Sequence, residues 1–102
     1  MKIQKIYRAQ KPKVEGPYEH YGSIICEEET AREEQHLARF VEEVWYQLDC
    51  KDYVISFVPG ISLTAFWVNA KTEDIVANII DDAVSQISKG LKDVKEVSDL
   101  VK

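Results

Sequence analysis

The residues with the best spacing for chemistry are Glu33 and His36, which form a Glu-x-x-His motif. On a helix this spacing places the carboxylate and the imidazole on one face, as in the di-metal sites of helical bundles. Such a site needs the motif twice and two further carboxylates, whereas this chain has only two histidines. The sequence therefore predicts no metal site and no cofactor. We expect His36 at a solvent-exposed edge and His20 in a structural position on a strand.

Cys26 is the candidate for a nucleophile, and a nucleophilic site also needs a positioned base and a third group that orients this base. Either histidine could supply the base. The sequence has no nucleophile-elbow motif and no glycine-rich loop for an oxyanion or a phosphate. Cys26 and Cys50 match no metal or redox spacing, so we expect both to be free thiols. The prediction is a protein that is not an enzyme.

Aromatic residues indicate one possible binding function. Tyr7, Tyr21, Tyr53 and Phe57 fall in strand-like segments and could share one sheet face. Proteins that bind single-stranded nucleic acids stack bases on such a face. Aromatic strand residues more often belong to the core, and basic residues are not interleaved with these four. A sheet-face binder of single-stranded nucleic acid or of a planar small molecule is therefore the alternative function.

The charge is unevenly distributed in a chain whose net charge is −5. Residues 1–25 carry five basic and two acidic side chains, a net +3, whereas residues 26–50 carry two basic and eight acidic side chains, a net −6. This acidity makes duplex nucleic acid a poor partner. An acidic patch could instead meet a basic protein surface. Its expected members are Glu27, Glu28, Glu29, Glu33 and Glu34.

The element that must position these residues is the segment 53–68, YVISFVPGISLTAFWV. Two runs of β-branched and aromatic residues around Pro59-Gly60 predict a buried antiparallel hairpin. With a two-residue loop, one face carries Val54, Val58, Ile61, Leu63, Ala65 and Trp67. The other carries Tyr53, Ile55, Phe57, Phe66 and Val68. Because Pro-Gly suits a tight hairpin poorly, a longer loop remains open, and an odd loop length would exchange the two faces.

A strand near residues 1–10, a loop at 11–17 and a strand at 18–27 are expected before the first helix. Thr30 and Glu33 have the spacing of a capping box, which predicts a helix start. The helix is expected to end near Asp49, because apolar residues recur at three-to-four spacing up to that point. These residues are Leu37, Phe40, Val41, Val44 and Leu48.

A second helix is predicted to begin after Thr72, which can cap it. Two interpretations of its length remain open. The apolar spacing would carry one helix through Gly90 as a coiled-coil seam, whereas a glycine cap at Gly90 would end it and leave a second short helix. The seam residues proposed for an oligomer interface are Val84, Ile87, Leu91, Val94 and Val101.

The predicted architecture is a single α+β domain over residues 1–102. Its order is ββαββα, with an antiparallel four-stranded sheet and two helices packed on one face. Because helices on one side leave the second apolar face of the hairpin uncovered, we expect a homodimer. No secretory leader and no long apolar run are recognised, so a cytoplasmic location without membrane contact is expected. The leading functional hypothesis is a small interaction or regulatory protein that acts through contacts with an unidentified protein partner and through self-association.

Overall fold

The computed structural model describes residues 1–8, 17–48 and 51–99, which form five strands and two α-helices. A short 3₁₀ turn, Trp45–Gln47, follows the first helix. In chain order the elements are β1 (Lys2–Ile6), β2 (His20–Glu27), α1 (Ala31–Glu43), β3 (Tyr53–Val58), β4 (Leu63–Ala70), α2 (Glu73–Ser88) and β5 (Lys95–Asp99).

The sheet has the strand order β3-β4-β2-β1-β5. All neighbours are antiparallel except β5, which runs parallel to β1. The predicted α+β class is therefore confirmed, but the sheet is five-stranded and mixed instead of four-stranded and antiparallel. The outer edge of β1 would otherwise leave its backbone groups unpaired, and the segment around Val97 satisfies them.

Both helices pack on the same face of the sheet, as predicted. On β2, Gly22 lies under α2, because a Cβ atom built at Gly22 would be 2.6 Å from Ile80 Cδ1 and 2.8 Å from Val76 Cγ1. Phe66 on β4 faces the same way, since Gly22 and Ile24 share a face and Ile24 pairs with Phe66. On this face α1 contacts β4 through the ring of Phe40, which packs against Phe66.

Phe66 is the centre of the core and has no exposed surface. Its ring centroid lies 5.6 Å from that of Phe40, 5.1 Å from that of Trp45 and 5.3 Å from that of Phe57. Burying each ring is worth about 1.5 to 3 kcal/mol, and edge-to-face packing adds about 0.5 to 1.5 kcal/mol for a pair. This cluster joins α1, the 3₁₀ turn and the hairpin.

The capping box that predicts the start of α1 is confirmed. Thr30 Oγ1 accepts a hydrogen bond from the Glu33 backbone N–H at 3.2 Å, and Glu33 Oε1 accepts one from the Thr30 N–H at 3.2 Å. The predicted apolar stripe is buried at Leu37, Phe40 and Val41. The helix ends at Glu43, so the predicted end near Asp49 is wrong.

The second helix begins after Thr72, whose hydroxyl accepts from the Ile75 N–H at 3.3 Å, and it ends at Ser88. Gly90 has φ +86°, a left-handed conformation that glycine adopts without a Cβ penalty. The continuous seam through Gly90 is therefore wrong. The break at Gly90 is correct, but a strand follows it instead of a second short helix. Within the described residues, no helix is long and apolar enough to span a membrane.

We predict that Gly22→Ala destabilises the fold by about 2 kcal/mol, because the new methyl group overpacks the contact between β2 and α2. The Ile6 carbonyl oxygen, only 2.8 Å from the Cβ position, belongs to backbone that cannot rotate away. Urea unfolding followed by circular dichroism measures the change. The control is Ser56→Ala, at an exposed strand position, which should stay within about 0.5 kcal/mol of wild type. Equal stability of the two variants would contradict this packing.

Candidate functional site

The β3–β4 hairpin has a longer loop than the two-residue turn that the sequence suggests. Val58 pairs with Ala65 and Val54 with Asn69, so the register is shifted by four residues from the expected one. An even shift preserves which side chains share a face. The predicted division of the hairpin into two faces is therefore confirmed, and of the two loop lengths left open by the sequence the longer one forms.

The two faces differ in cover. On the helix side, Phe66, Val68 and Ala70 are fully buried. On the other side, Val54 is 39% exposed, Val58 54% and Leu63 47%, and Ile61 in the loop is 98% exposed. The described part of the chain has five exposed large hydrophobic side chains, and these four are among them. The exposed apolar area is thus concentrated at one end of the sheet.

The centre of the open face is less accessible than this end. Ser23, opposite Trp67, is fully buried, and Asn69, opposite Val54, is 1% exposed. Ser23 Oγ and Asn69 Nδ2 have no hydrogen-bond partner. This part of the face is thus closed to solvent, so an approaching molecule would meet the hairpin end first.

Strand β3 also forms an edge of the sheet. Its sequence, YVISFV, contains no charged residue and no proline, and its pairing with β4 has no bulge. Edge strands normally carry such features because they prevent pairing with other chains. The opposite edge, β5, has the sequence KEVSD, in which three of the five residues are charged. Composition alone could not identify β3 as an edge, because an uncharged run suits a central strand equally well.

We call this region the β3 edge surface, meaning the outer edge of β3, which pairs with no second strand among the described residues, together with the exposed side chains of Val54, Val58, Ile61 and Leu63. Its backbone donors and acceptors can extend the sheet, and its apolar side chains can pack against a second strand. It combines both requirements for strand addition at one end of the molecule.

The predicted acidic patch is only partly on the surface. Glu27, Glu29 and Glu34 are exposed, but Glu28 and Glu33 are buried. Glu28 accepts a hydrogen bond from the Thr64 hydroxyl at 2.6 Å. The five-residue patch is therefore wrong in two of its members, because these carboxylates have partners inside the fold.

Glu33 binds the α-amino group of Met1 at 2.6 Å. This hydrogen bond is the main cause that lowers the pKa of Glu33, and it raises the pKa of the Met1 amine. The same carboxylate accepts from the backbone N–H groups of Glu29 and Thr30. Glu33 therefore ties β1 to the start of α1, a structural role that its place in a Glu-x-x-His motif does not reveal.

His36 points away from Glu33, since its Nε2 lies 2.7 Å from the carbonyl oxygen of Ile87. Among the described residues, no group of three histidine, cysteine or acidic side chains could hold a metal ion. Cys26 is buried, and burial is the larger cause that raises its pKa to about 12, ahead of the Glu28 charge. Its thiol is therefore protonated near neutral pH. Cys50 lies outside the described residues.

The four aromatic residues of the proposed ligand face do not share a face. Tyr53 and Phe57 lie on the helix side, where Phe57 packs on Phe66, whereas Tyr21 pairs with Asn69 on the open side. Tyr7 follows β1, and its hydroxyl donates a hydrogen bond to Asp81 Oδ1 at 2.7 Å. Burial, followed by this bond, raises the pKa of Tyr7 to about 12. A continuous stacking platform is therefore absent among these four residues.

Tyr7 and Tyr21 instead line a cavity of about 400 Å³ beside the start of α2. Its walls include Glu19, His20 and Asp74. An ion pair between Arg8 and Glu73, 2.8 Å long, also borders the cavity. Three carboxylates against one guanidinium make its lining negative.

The residues of the predicted oligomer seam do not form a surface stripe. Val84 and Ile87 are buried in the core of the protomer, and Leu91 and Val94 pack against that core from the segment after α2. Val101 lies outside the described residues. The continuous helical seam therefore does not form, because α2 ends at Ser88 and the first half of the seam is buried in the monomer.

No family model, curated protein or solved structure matches this chain significantly.

We predict that Glu33→Gln destabilises the protein by about 3 kcal/mol near neutral pH, because it leaves the Met1 amine buried without a counter-charge. Glutamine preserves the capping box, so the change isolates the ion pair. The matched control is Glu34→Gln on the same helical turn, which is exposed and should change stability little. Chemical unfolding of both variants measures the difference.

The effect of Glu33→Gln should also depend on pH. The lowered pKa of Glu33 gives stability that is present above the unfolded value of about 4.3 and is lost as pH falls through the folded value. The raised pKa of the Met1 amine gives stability that is present below about 8 and is lost as pH rises through the folded value. The gap between wild type and Glu33→Gln should be widest between about pH 5 and 7.5. A gap independent of pH would contradict the ion pair.

Proposed function

We propose that this protein is a small non-enzymatic interaction protein that self-associates through the β3 edge surface. The observation that carries the proposal is the uncharged edge strand YVISFV, with Val54 and Val58 exposed along it. Unprotected edges of this kind pair with other strands. A second copy of the chain is the occupant that the strand sequence fits best.

The fit follows from two-fold symmetry. If β3 of one copy runs antiparallel to β3 of another with the axis at Ser56, Val54 of each copy lies opposite Val58 of the other. Ile55 then lies opposite Phe57 on the helix side. Apolar residues meet apolar residues on both faces, which is the arrangement that stabilises cross-strand pairs. The strand is thus self-complementary.

The contact would be small, since it involves one six-residue strand and a few side chains from each copy. Interfaces below about 1,200 Å² are typical of weak or transient association. We therefore propose a concentration-dependent dimer with dissociation in the micromolar range. At low concentration this dimer would dissociate, and the β3 edge surface of the monomer could then bind a protein partner.

We predict that wild type is dimeric and Val54→Lys with Val58→Lys is monomeric, because two lysines on an edge strand oppose pairing with the same strand of another copy. Light scattering over a concentration series to several hundred micromolar measures the mass. The control is Ser85→Lys with Gln86→Lys, which adds the same charge at exposed positions of α2. It should remain dimeric. A monomeric wild type, or a lysine variant that stays dimeric, would overturn the proposal.

A protein partner and a cytoplasmic location belong to the same proposal. The exposed carboxylates of Glu27, Glu29 and Glu34 remain candidate contacts for a basic partner surface. Cys26 is a free buried thiol, which suits the reducing cytoplasm. Single-stranded nucleic acid receives less support, since the aromatic residues that would stack its bases lie on opposite faces.

A second candidate function is small-molecule binding in the cavity bounded by Tyr7 and Tyr21. Its volume of about 400 Å³ is in the range of ligand pockets, about 300 to 1,000 Å³, and its aromatic rings and carboxylates suit a planar organic cation. We expect benzamidine, but not benzoate, to shift the NMR signals of Ala77 saturably. Tyr21→Ala should remove this binding, whereas Tyr46→Ala, which removes an exposed ring elsewhere, should not. Equal responses to both compounds would contradict this function.

A further inference from the structure

A basic groove lies between α1 and the turn that follows α2. Its cavity of about 240 Å³ is lined by Arg32, Gln35, His36, Arg39, Gly90 and Leu91. No acidic residue lines it, although acidic side chains outnumber basic ones in the chain by 18 to 13. The groove is therefore a positive site on an acidic protein.

The two arginines can act on one ligand because of their places on α1. Arg32, His36 and Arg39 are four and three residues apart, so they lie along one face of the helix. The two arginines are separated by about 10 Å along the axis, and their long side chains can converge beside His36. Within the described part of the chain, neither arginine has an ion pair or a hydrogen bond. Both guanidinium groups are free for an anion.

The His36 side chain lines the groove between Arg32 and Arg39. Its Nε2 lies 2.7 Å from the Ile87 carbonyl oxygen, which can only accept, so this nitrogen carries the proton and donates it. The bond fixes the ring and satisfies a carbonyl in the last turn of α2. That helix end carries about half a negative charge, which the two full arginine charges exceed. Gly90 leaves the space beside the ring open, because an added Cβ would lie in van der Waals contact with His36 Cε1, at 3.8 Å.

We propose that this groove binds the phosphate group of a small phosphate monoester, or free phosphate, through Arg32 and Arg39. A planar carboxylate has two oxygens and is satisfied by one guanidinium fork, whereas a tetrahedral dianion offers oxygens to two forks at once. The Gln35 amide adds a further donor at the same wall. The groove lies on the helix side of the sheet, so this site does not depend on pairing at the β3 edge surface.

The test is an NMR titration of the ¹⁵N-labelled full chain at constant ionic strength with inorganic phosphate, phenyl phosphate and benzoate. We expect saturable shifts of the Gly90 and Leu91 amides with one or both phosphates and at least about tenfold weaker binding of benzoate. Tighter binding of phenyl phosphate identifies an esterified ligand, and tighter binding of inorganic phosphate identifies the free anion. Either result supports the site.

Arg32→Gln with Arg39→Gln should weaken phosphate binding by about tenfold or more, because it removes the paired charged donors. The control is Lys51→Gln with Lys71→Gln, which removes the same charge from exposed positions outside the groove and should bind like wild type. Both arginines are exposed, so the variant should fold, and its dispersed amide spectrum checks this. Absence of saturable shifts in wild type, or equal losses in the two double variants, would overturn the proposal.

Discussion

The packing of aromatic rings around Phe66 is the constraint on which the rest of the molecule depends. Because Phe66 on β4 contacts both Phe40 and Trp45, α1 and the 3₁₀ turn must lie against the face of the sheet that carries Phe66. The close approach of α2 to Gly22 places the second helix on that same face. With both helices used on one side, the hairpin end of the other side has no helical cover. The exposed apolar surface is thus a direct result of how the core is built.

Local sequence signals predicted much of this fold. The capping box at Thr30 and the cap at Thr72 locate both helix starts, because capping is a short-range hydrogen-bonding problem. The hairpin faces were predicted although the sequence left the loop length open, since side-chain alternation survives any even shift. The fifth strand was not predicted. The apolar spacing of Leu91, Val94 and Val101 suits a helix that would run across Lys95–Asp99, and only the outer edge of β1, a long-range partner, decides for a strand there.

The candidate sites were less predictable, because they depend on which residues the fold brings together. In the sequence Glu28 and Glu33 cannot be distinguished from their exposed neighbours. Both are buried because they bind groups that are distant along the chain, the Thr64 hydroxyl and the Met1 amine. From the sequence alone, Arg32 and Arg39 are only residues on the solvent-exposed face of an amphipathic helix. The joint action proposed for them depends on the turn at Gly90, which lines the groove opposite them. No periodicity in α1 alone carries that information.

The parallel pairing of β5 with β1 has a consequence for the order of assembly. Lys2 lies beside Lys95, so this contact joins segments that are about 90 positions apart. Closing such a long loop costs more conformational entropy than forming the hairpin of β3 and β4, and pairings of this kind slow folding. We therefore expect the hairpin of β3 and β4 to form before β5 docks. Until it docks, the outer edge of β1 is exposed in addition to that of β3, in place of the charged edge that β5 provides.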